Sequence, residues 1–250
     1  MSFALPGGVR VYAIGDIHGC SGMLDRLLAL VDEDAASRPA AETWEICIGD
    51  YVDRGPDSAG VIDRLARESA GGRRRVCLLG NHEEAMIDAL DDPALMKRWL
   101  ELGGDATARS YGVDPEGTAA GAAGVHRELQ AAIPEAHRRF LARLATHHRI
   151  GDIVFAHAGI RPGVPLDRQD PHDLVSIREG FLDHDGTFGL HVVHGHTPVD
   201  APERHPWRTN IDTGAVHGGA LTAAVIEGDD MRFLEVPAPR GAGHKKRRPG

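Results

Sequence analysis

Cysteine is scarce in this chain: three residues in 250, Cys20, Cys47 and Cys77. An odd, small number, with Cys47 and Cys77 inside apolar segments expected to be buried strands at 45–50 and 75–81, excludes a disulfide framework and points to reduced thiols. None stands at zinc-finger spacing, so any metal is left to Asp, Asn and His. Long apolar runs are missing as well. No segment reaches the length of a membrane span, and the start MSFALPGGVR lacks a signal-peptide pattern, so a cytoplasmic location with no membrane partner is expected.

Positive charge is also in short supply. Lys and Arg number 28 against 37 Asp and Glu, a net charge of −9, and four of the cations are Lys245, Lys246, Arg247 and Arg248 near the end. Removing those four leaves 24 against 37, a body at −13. Such a body repels a phosphate backbone, which makes nucleic acid an unlikely partner. The basic stretch 241–250 reads as a solvated, disordered tail. Nothing in the sequence addresses the oligomeric state.

What is present is alternation. Val9 to Ile14 and Glu45 to Ile48 read as strands, with Met23, Leu24, Leu27, Leu28 and Val31 recurring between them at helical spacing. Ser58 is placed to cap a second helix carrying Val61, Ile62 and Leu65, which Gly71-Gly72 would stop before a strand at 75–79. Short helices follow through Met86 and Leu90, over 93–102, and over 134–145. The stretch 105–132, rich in Ala and Gly, shows no clear period, and 91–132 is expected to form a small cap insert. Strands then dominate, at 152–156, 190–193, 209–211, 221–226 and 231–236, the last two joined at a turn, Gly228-Asp229-Asp230. We expect one α/β domain over 1–240, with two mixed sheets packed face to face and helices outside each, a four-layer αββα sandwich.

Five short motifs each end an apolar stretch: GDIHG from Gly15, GDYVDRG from Gly49, GNHE from Gly80, AHAG from Ala156 and HGHT from His194. Open α/β sheets bind ligands just beyond their strand ends. Asp16 and His18 stand two apart on an extended segment and so point the same way. Asp50 has two oxygens able to bridge two cations, Asn81 offers a neutral oxygen, and His157 and His196 add imidazoles. Three of the motifs recur at intervals of about 30 residues, the length of a βαβ unit. Eight further histidines, His126, His137, His147, His148, His172, His184, His205 and His244, lie in polar segments and are read as surface residues. His194 is expected beside the ligands, and His217 at the mouth of the site.

The motifs GDIHG, GDYVDRG and GNHE, with DTGAVHGGALT from Asp212, resemble those of the phosphoprotein phosphatase branch of the metallophosphoesterases, small phage and bacterial serine/threonine phosphatases above all. The resemblance covers about Val11 to Thr222. It implies two divalent ions, Mn²⁺ first with Fe or Zn²⁺ suiting the same donors: Asp16, His18 and Asp50 on one, Asp50, Asn81, His157 and His196 on the other. It also implies attack on phosphorus by a hydroxide that the two metals activate, with His82 as general acid, Asp53 as its orienting carboxylate, and Arg54 and Arg178 as phosphoryl clamps. The expected substrate is a phosphorylated protein, with phosphotyrosine and small phosphoesters as further candidates. Symmetrical bis(5'-nucleosyl)-tetraphosphatases share the motifs but generally carry a small residue where this chain has Asp53. A non-catalytic binding module is the remaining reading. The chain departs from its relatives at Leu79, where many carry an arginine that binds phosphate.

Overall fold

The computed structural model describes residues 3–118, 120–186 and 188–239; the tail expected to be disordered lies outside them. Two five-stranded sheets form its centre, ordered β10-β9-β1-β2-β3 and β4-β5-β6-β8-β7. In the first, β1 (Val9–Ile14), β2 (Glu42–Cys47) and β3 (Arg74–Cys77) run parallel, and the β9 (Ala220–Glu227) to β10 (Asp230–Pro237) hairpin adds antiparallel strands beside β1. In the second, β5 (Ile153–Ala156), β6 (His191–His194) and β8 (Arg208–Asn210) run parallel, with β4 (His147–Ile150) and β7 (Glu203–Arg204) antiparallel at the edges.

The two-residue period of the strands sets the layers. Val9, Val11 and Ala13 of β1 join Ile46, Ile153, Phe155, Val193 and Ile226 in a core between the sheets. Ile14 faces the other way, into a cluster with the apolar sides of α1 (Ser21–Ser37), α2 (Ser58–Ala66) and α3 (Asn81–Asp91). Val154 and Val192 on the outer face of the second sheet meet Leu174 of α8 (Pro171–Ser176), with Ile177 and Phe181 from the loop beyond. The fourth layer is thus one short helix and a loop. This is the four-layer αββα sandwich, two mixed sheets with helices outside.

Local expectations fare unevenly. Asp57, not Ser58, caps α2, its carboxylate accepting from the Gly60 amide, and the helix ends at Ala66, before Gly71-Gly72. Ser58 is freed for another task, described below. Gly103-Gly104 do not end the helical stretch at 102. α4 (Met96–Trp99) runs through a widened turn over Leu100–Gly104 into α5 (Asp105–Ser110), because Gly103 takes φ 112 and lets the chain redirect. α6 (Gly121–Ala132) and α7 (Glu135–Leu141) follow. Met96, Trp99, Ala108, Val125 and Leu129 pack in the same apolar cluster as α1 to α3. His137 is buried against Tyr111, whose hydroxyl lies 2.9 Å from Nδ1, so it is not a surface residue. His244 lies outside the described residues.

Candidate metal centre

Every nominated ligand stands just past the C-terminal end of a parallel strand: Asp16 and His18 after β1, Asp50 after β2, Asn81 after β3, His157 after β5 and His196 after β6. The two sheets present these ends along one edge of the sandwich, where ligands of α/β sheets gather. Turning the chain sharply here has a conformational cost. Among the described residues five other than glycine have positive φ: His18 (44°), Asp50 (51°), Asp53 (73°), Arg54 (67°) and His196 (66°). All five were nominated from the sequence. Each such conformation costs on the order of 1–3 kcal/mol and persists only where its surroundings enforce it.

Two carbonyls fix two of the rings. His18 Nδ1 lies 2.8 Å from the Val52 carbonyl and His157 Nδ1 lies 3.0 Å from that of Ile48. A carbonyl only accepts, so each Nδ1 carries a proton, and in the neutral ring Nε2 is a bare lone pair. Burial favours neutral His157, lowering its pKa, and pushes His196 down to about 3. His157 Nε2 then faces Asn81 Oδ1 at 3.1 Å and Asp50 Oδ1 at 3.3 Å, while His196 Nδ1 lies 2.8 Å from Asn81 Oδ1. On the other side His18 Nε2 lies 3.3 Å from Asp50 Oδ2 and 2.8 Å from the Arg54 guanidinium. Donor atoms of Asp50, His157 and His196 fall within 4.8 Å of one another, and so do those of His18, Asp50 and His82. The Asp50 carboxylate has one oxygen in each group.

Asp16 gives the test of fit. It is buried, Oδ2 accepts from the His196 amide at 3.1 Å, and Oδ1 has no partner. Burial, and then the charges of Asp212 and Asp50, push its pKa well above the usual carboxylate range. Against burial, the surrounding histidines hold the Asp50 carboxyl well below it. Acceptors facing one another, an orphaned carboxylate oxygen and an oxygen/imidazole donor set suit divalent cations. Space is kept by glycine: a Cβ on Gly195 would stand 2.1 Å from Asp16 Oδ1, and one on Gly80 2.3 Å from Asp50 Oδ1.

Beside the ligands, His82 Nδ1 lies 2.7 Å from Asp53 Oδ2, both side chains being buried. Trp99 Nε1 donates to the same Asp53 oxygen, Thr107 Oγ1 donates to the other at 2.8 Å, and Ser58 Oγ accepts from the Asp53 amide. Arg54 is exposed and is anchored through its amide on the Gly103 carbonyl. Arg178 is exposed on the loop after α8, close enough for its charge to depress His196.

His194 turns its ring away from the candidate donor atoms, although burial, and then the charges of Arg208, His157 and His196, lower its pKa to about 3. It is buried edge-on to Phe181, ring centroids 5.0 Å apart, with Arg208 near Nε2. The strand ends at His194, and the left-handed His196 breaks the alternation on which the expectation rested. His217 lines a cleft together with Arg54.

Four contributors were not foreseen. The Glu83 carboxylate accepts from the amides of Asp50, Tyr51, Val52 and Gly80, tying the second motif to the third. Asp212 stands close enough to Asp16 for its charge to help push the Asp16 pKa up. Glu83 and Asp212 lay inside motifs already in view, GNHE and DTGAVHGGALT. Trp99, on a stretch expected as a short helix, and Thr107, from a stretch without readable period, carried no signal of a role at the site.

The fold, with its cation-ready cluster at the strand ends, defines a hydrolase of phosphoester bonds that depends on divalent metal. The chain belongs to the calcineurin-like phosphoesterases, whose family profile matches residues 9–216. It is 32% identical over 223 residues to serine/threonine-protein phosphatase 1 of Salmonella typhimurium, covering 87% of this chain and 92% of that protein. It is also 32% identical over 269 residues to the symmetrical bis(5'-nucleosyl)-tetraphosphatase of Paracidovorax citrulli, covering 86% and 91%. A solved chain provisionally named a diadenosine tetraphosphatase superposes with a TM-score of 0.64 at 26% identity, over 93% of this chain and 95% of that one.

Proposed function

We propose that the chain is a phosphomonoesterase of phosphoserine and phosphothreonine in proteins, broad enough for small phosphoesters. The observation that carries this reading is the Asp53–His82 pair, held at 2.7 Å with two further donors on the Asp53 carboxylate. The alkoxide released from a serine or threonine ester is a poor leaving group and needs a proton. With Asp53 on Nδ1, the imidazolium is stabilised and Nε2 is the atom that delivers that proton. A nucleotide leaving group, already a stabilised phosphate, needs this pair less.

We assign Asp16, His18 and Asp50 to one divalent ion and Asp50, Asn81, His157 and His196 to a second, with Mn²⁺ as the pair. When bound, such ions supply Lewis acidity, neutralising phosphoryl charge and lowering the pKa of water. Arg54, from beside His18, and Arg178, from the loop near His196, hold phosphoryl oxygens, Arg54 in the manner of a guanidinium fork. The gaps that Gly80 and Gly195 keep beside Asp50 and Asp16 would leave these carboxylates free to hold such ions. A reducing compartment, the cytoplasm, suits three free cysteines.

The test compares kcat/KM for a phosphothreonine peptide and for diadenosine tetraphosphate on Mn²⁺-loaded enzyme. The peptide is expected to be the better substrate. A preference of more than about a hundredfold for the dinucleotide, about 2.7 kcal/mol in the transition state, would reassign the chain to the tetraphosphatases.

A further inference from the structure

Beside Arg54 runs a cleft of about 820 Å³ that the assigned catalytic groups do not fill. Four separate pieces of chain wall it: the start of α1 with Met23, the end of the GDYVDRG loop with Arg54 and the Pro56 that follows, the turn before β9 with Ala215 and Val216, and the segment after β10 with Ala238. The volume is that of a ligand site. Its character departs from the acidic body: among the described residues lining it there is no carboxylate and no Phe, Tyr or Trp, its aromatic ring is the His217 imidazole, and its fixed charges are the guanidinium groups of Arg26 and Arg54. Aliphatic walls remove apolar surface from water, while two cations and no acid turn away a positively charged group.

The cleft shares Arg54 with the proposed phosphoryl site, and that fixes what can reach it. In an extended peptide, side chains two residues apart point to the same side, about 6.5–7 Å from each other. When the phosphorylated side chain points down at the proposed metal centre, the side chain two positions away points to the same side, where Arg54 borders the cleft. We infer that this cleft is a specificity pocket for an apolar side chain two residues from the phosphoserine or phosphothreonine of a peptide substrate. The inference rests on the protein-phosphatase reading above and adds a sequence preference to it: Leu or Met favoured, Gly poor, Lys or Arg rejected.

The experiment measures kcat/KM on phosphothreonine peptides carrying Leu, Gly, Glu or Lys two residues before or two residues after the phosphothreonine, for wild type, Val216→Asp and Ala238→Asp, with phenyl phosphate as a substrate too small to enter the cleft. In wild type, Leu at one of the two positions is expected to exceed Gly by about tenfold or more, as burial of one apolar side chain in an enzyme pocket gives. In both variants that ratio should fall towards one, while the phenyl phosphate rate stays at the wild-type level, which also reports that the variants are folded. Equal rates for all side chains at both positions would overturn the pocket and leave the phosphatase reading intact. Absence of peptide turnover by an enzyme active on phenyl phosphate would overturn the phosphatase reading and the pocket with it. If the two variants lose turnover of diadenosine tetraphosphate and keep that of the peptides, the occupant is a base.

Discussion

The indole Nε1 of Trp99 donates to Asp53 Oδ2 at 3.1 Å, a contact spanning 46 residues of sequence that joins α4 to the GDYVDRG loop. The same oxygen holds His82, so the segment after α3 helps to aim the proposed general acid. Trp99→Phe keeps the packing and deletes this donor. We expect kcat for an alkyl phosphate to fall about tenfold, the scale of one hydrogen bond to a charged group, with little change for an aryl phosphate whose leaving group needs no proton. Thr107→Val, which removes the donor on Oδ1, should behave alike. Equal losses on both esters would mean that the two side chains only support the fold.

His82 itself is expected to act as acid and not as ligand, although its ring stands within the group of His18 and Asp50. His82→Asn should retain the metal content of the wild type, measured by elemental analysis, while turnover of a poor leaving group falls by about 10²–10⁴. Loss of one ion in the variant would make His82 a ligand.

Asp50 divides its two oxygens between the donor groups, so a neutral amide in its place should weaken both sites. Titration of metal-free protein with Mn²⁺ is expected to give two ions in wild type and lower affinity in Asp50→Asn. The rise in melting temperature that saturating Mn²⁺ produces by mass action should shrink in parallel. An unchanged isotherm in the variant would remove Asp50 from the centre.

Away from the ligands, His191 on β6 is buried, its Nε2 2.8 Å from Thr209 Oγ1, and burial with the nearby Arg204 charge pushes its pKa down to about 4. Below about pH 6.5 the unfolded chain protonates this ring and the folded chain does not. Stability is therefore lost as pH falls from about 6.5 to about 4, by about 3 kcal/mol when complete. His191→Gln has nothing to titrate. Denaturant unfolding at pH 7 and pH 4.5 should show a smaller acid loss in the variant; superimposable losses would mean that the ring is protonated in the folded state.

The parallel strands, and the placing of the candidate ligands at their ends, were legible because both are short-range signals: an apolar run, then Gly-Asp or Gly-Asn. The edge strands of the second sheet were not. β7 has two residues, and β4 reads HHRI, whose polar face lies at the sheet margin. Ser58 was misread as a cap because Asp57 beside it does that work, leaving the hydroxyl to the Asp53 amide. What holds Asp53 escaped notice for a different reason: Trp99 and Thr107 reach it from residues whose spacing follows the path of the chain over α2 and α3, a tertiary fact without local period.

The five left-handed residues put durability and turnover in opposition at single positions. Glycine is at ease where Arg54 and His196 sit, so a search for heat-resistant variants would be drawn toward replacing side chains on which the proposed chemistry depends. A thermostabilised form of this enzyme chosen by melting temperature alone would tend to be an inert one. Selection under catalytic demand would have to leave these turns strained and gain its stability in the inter-sheet core.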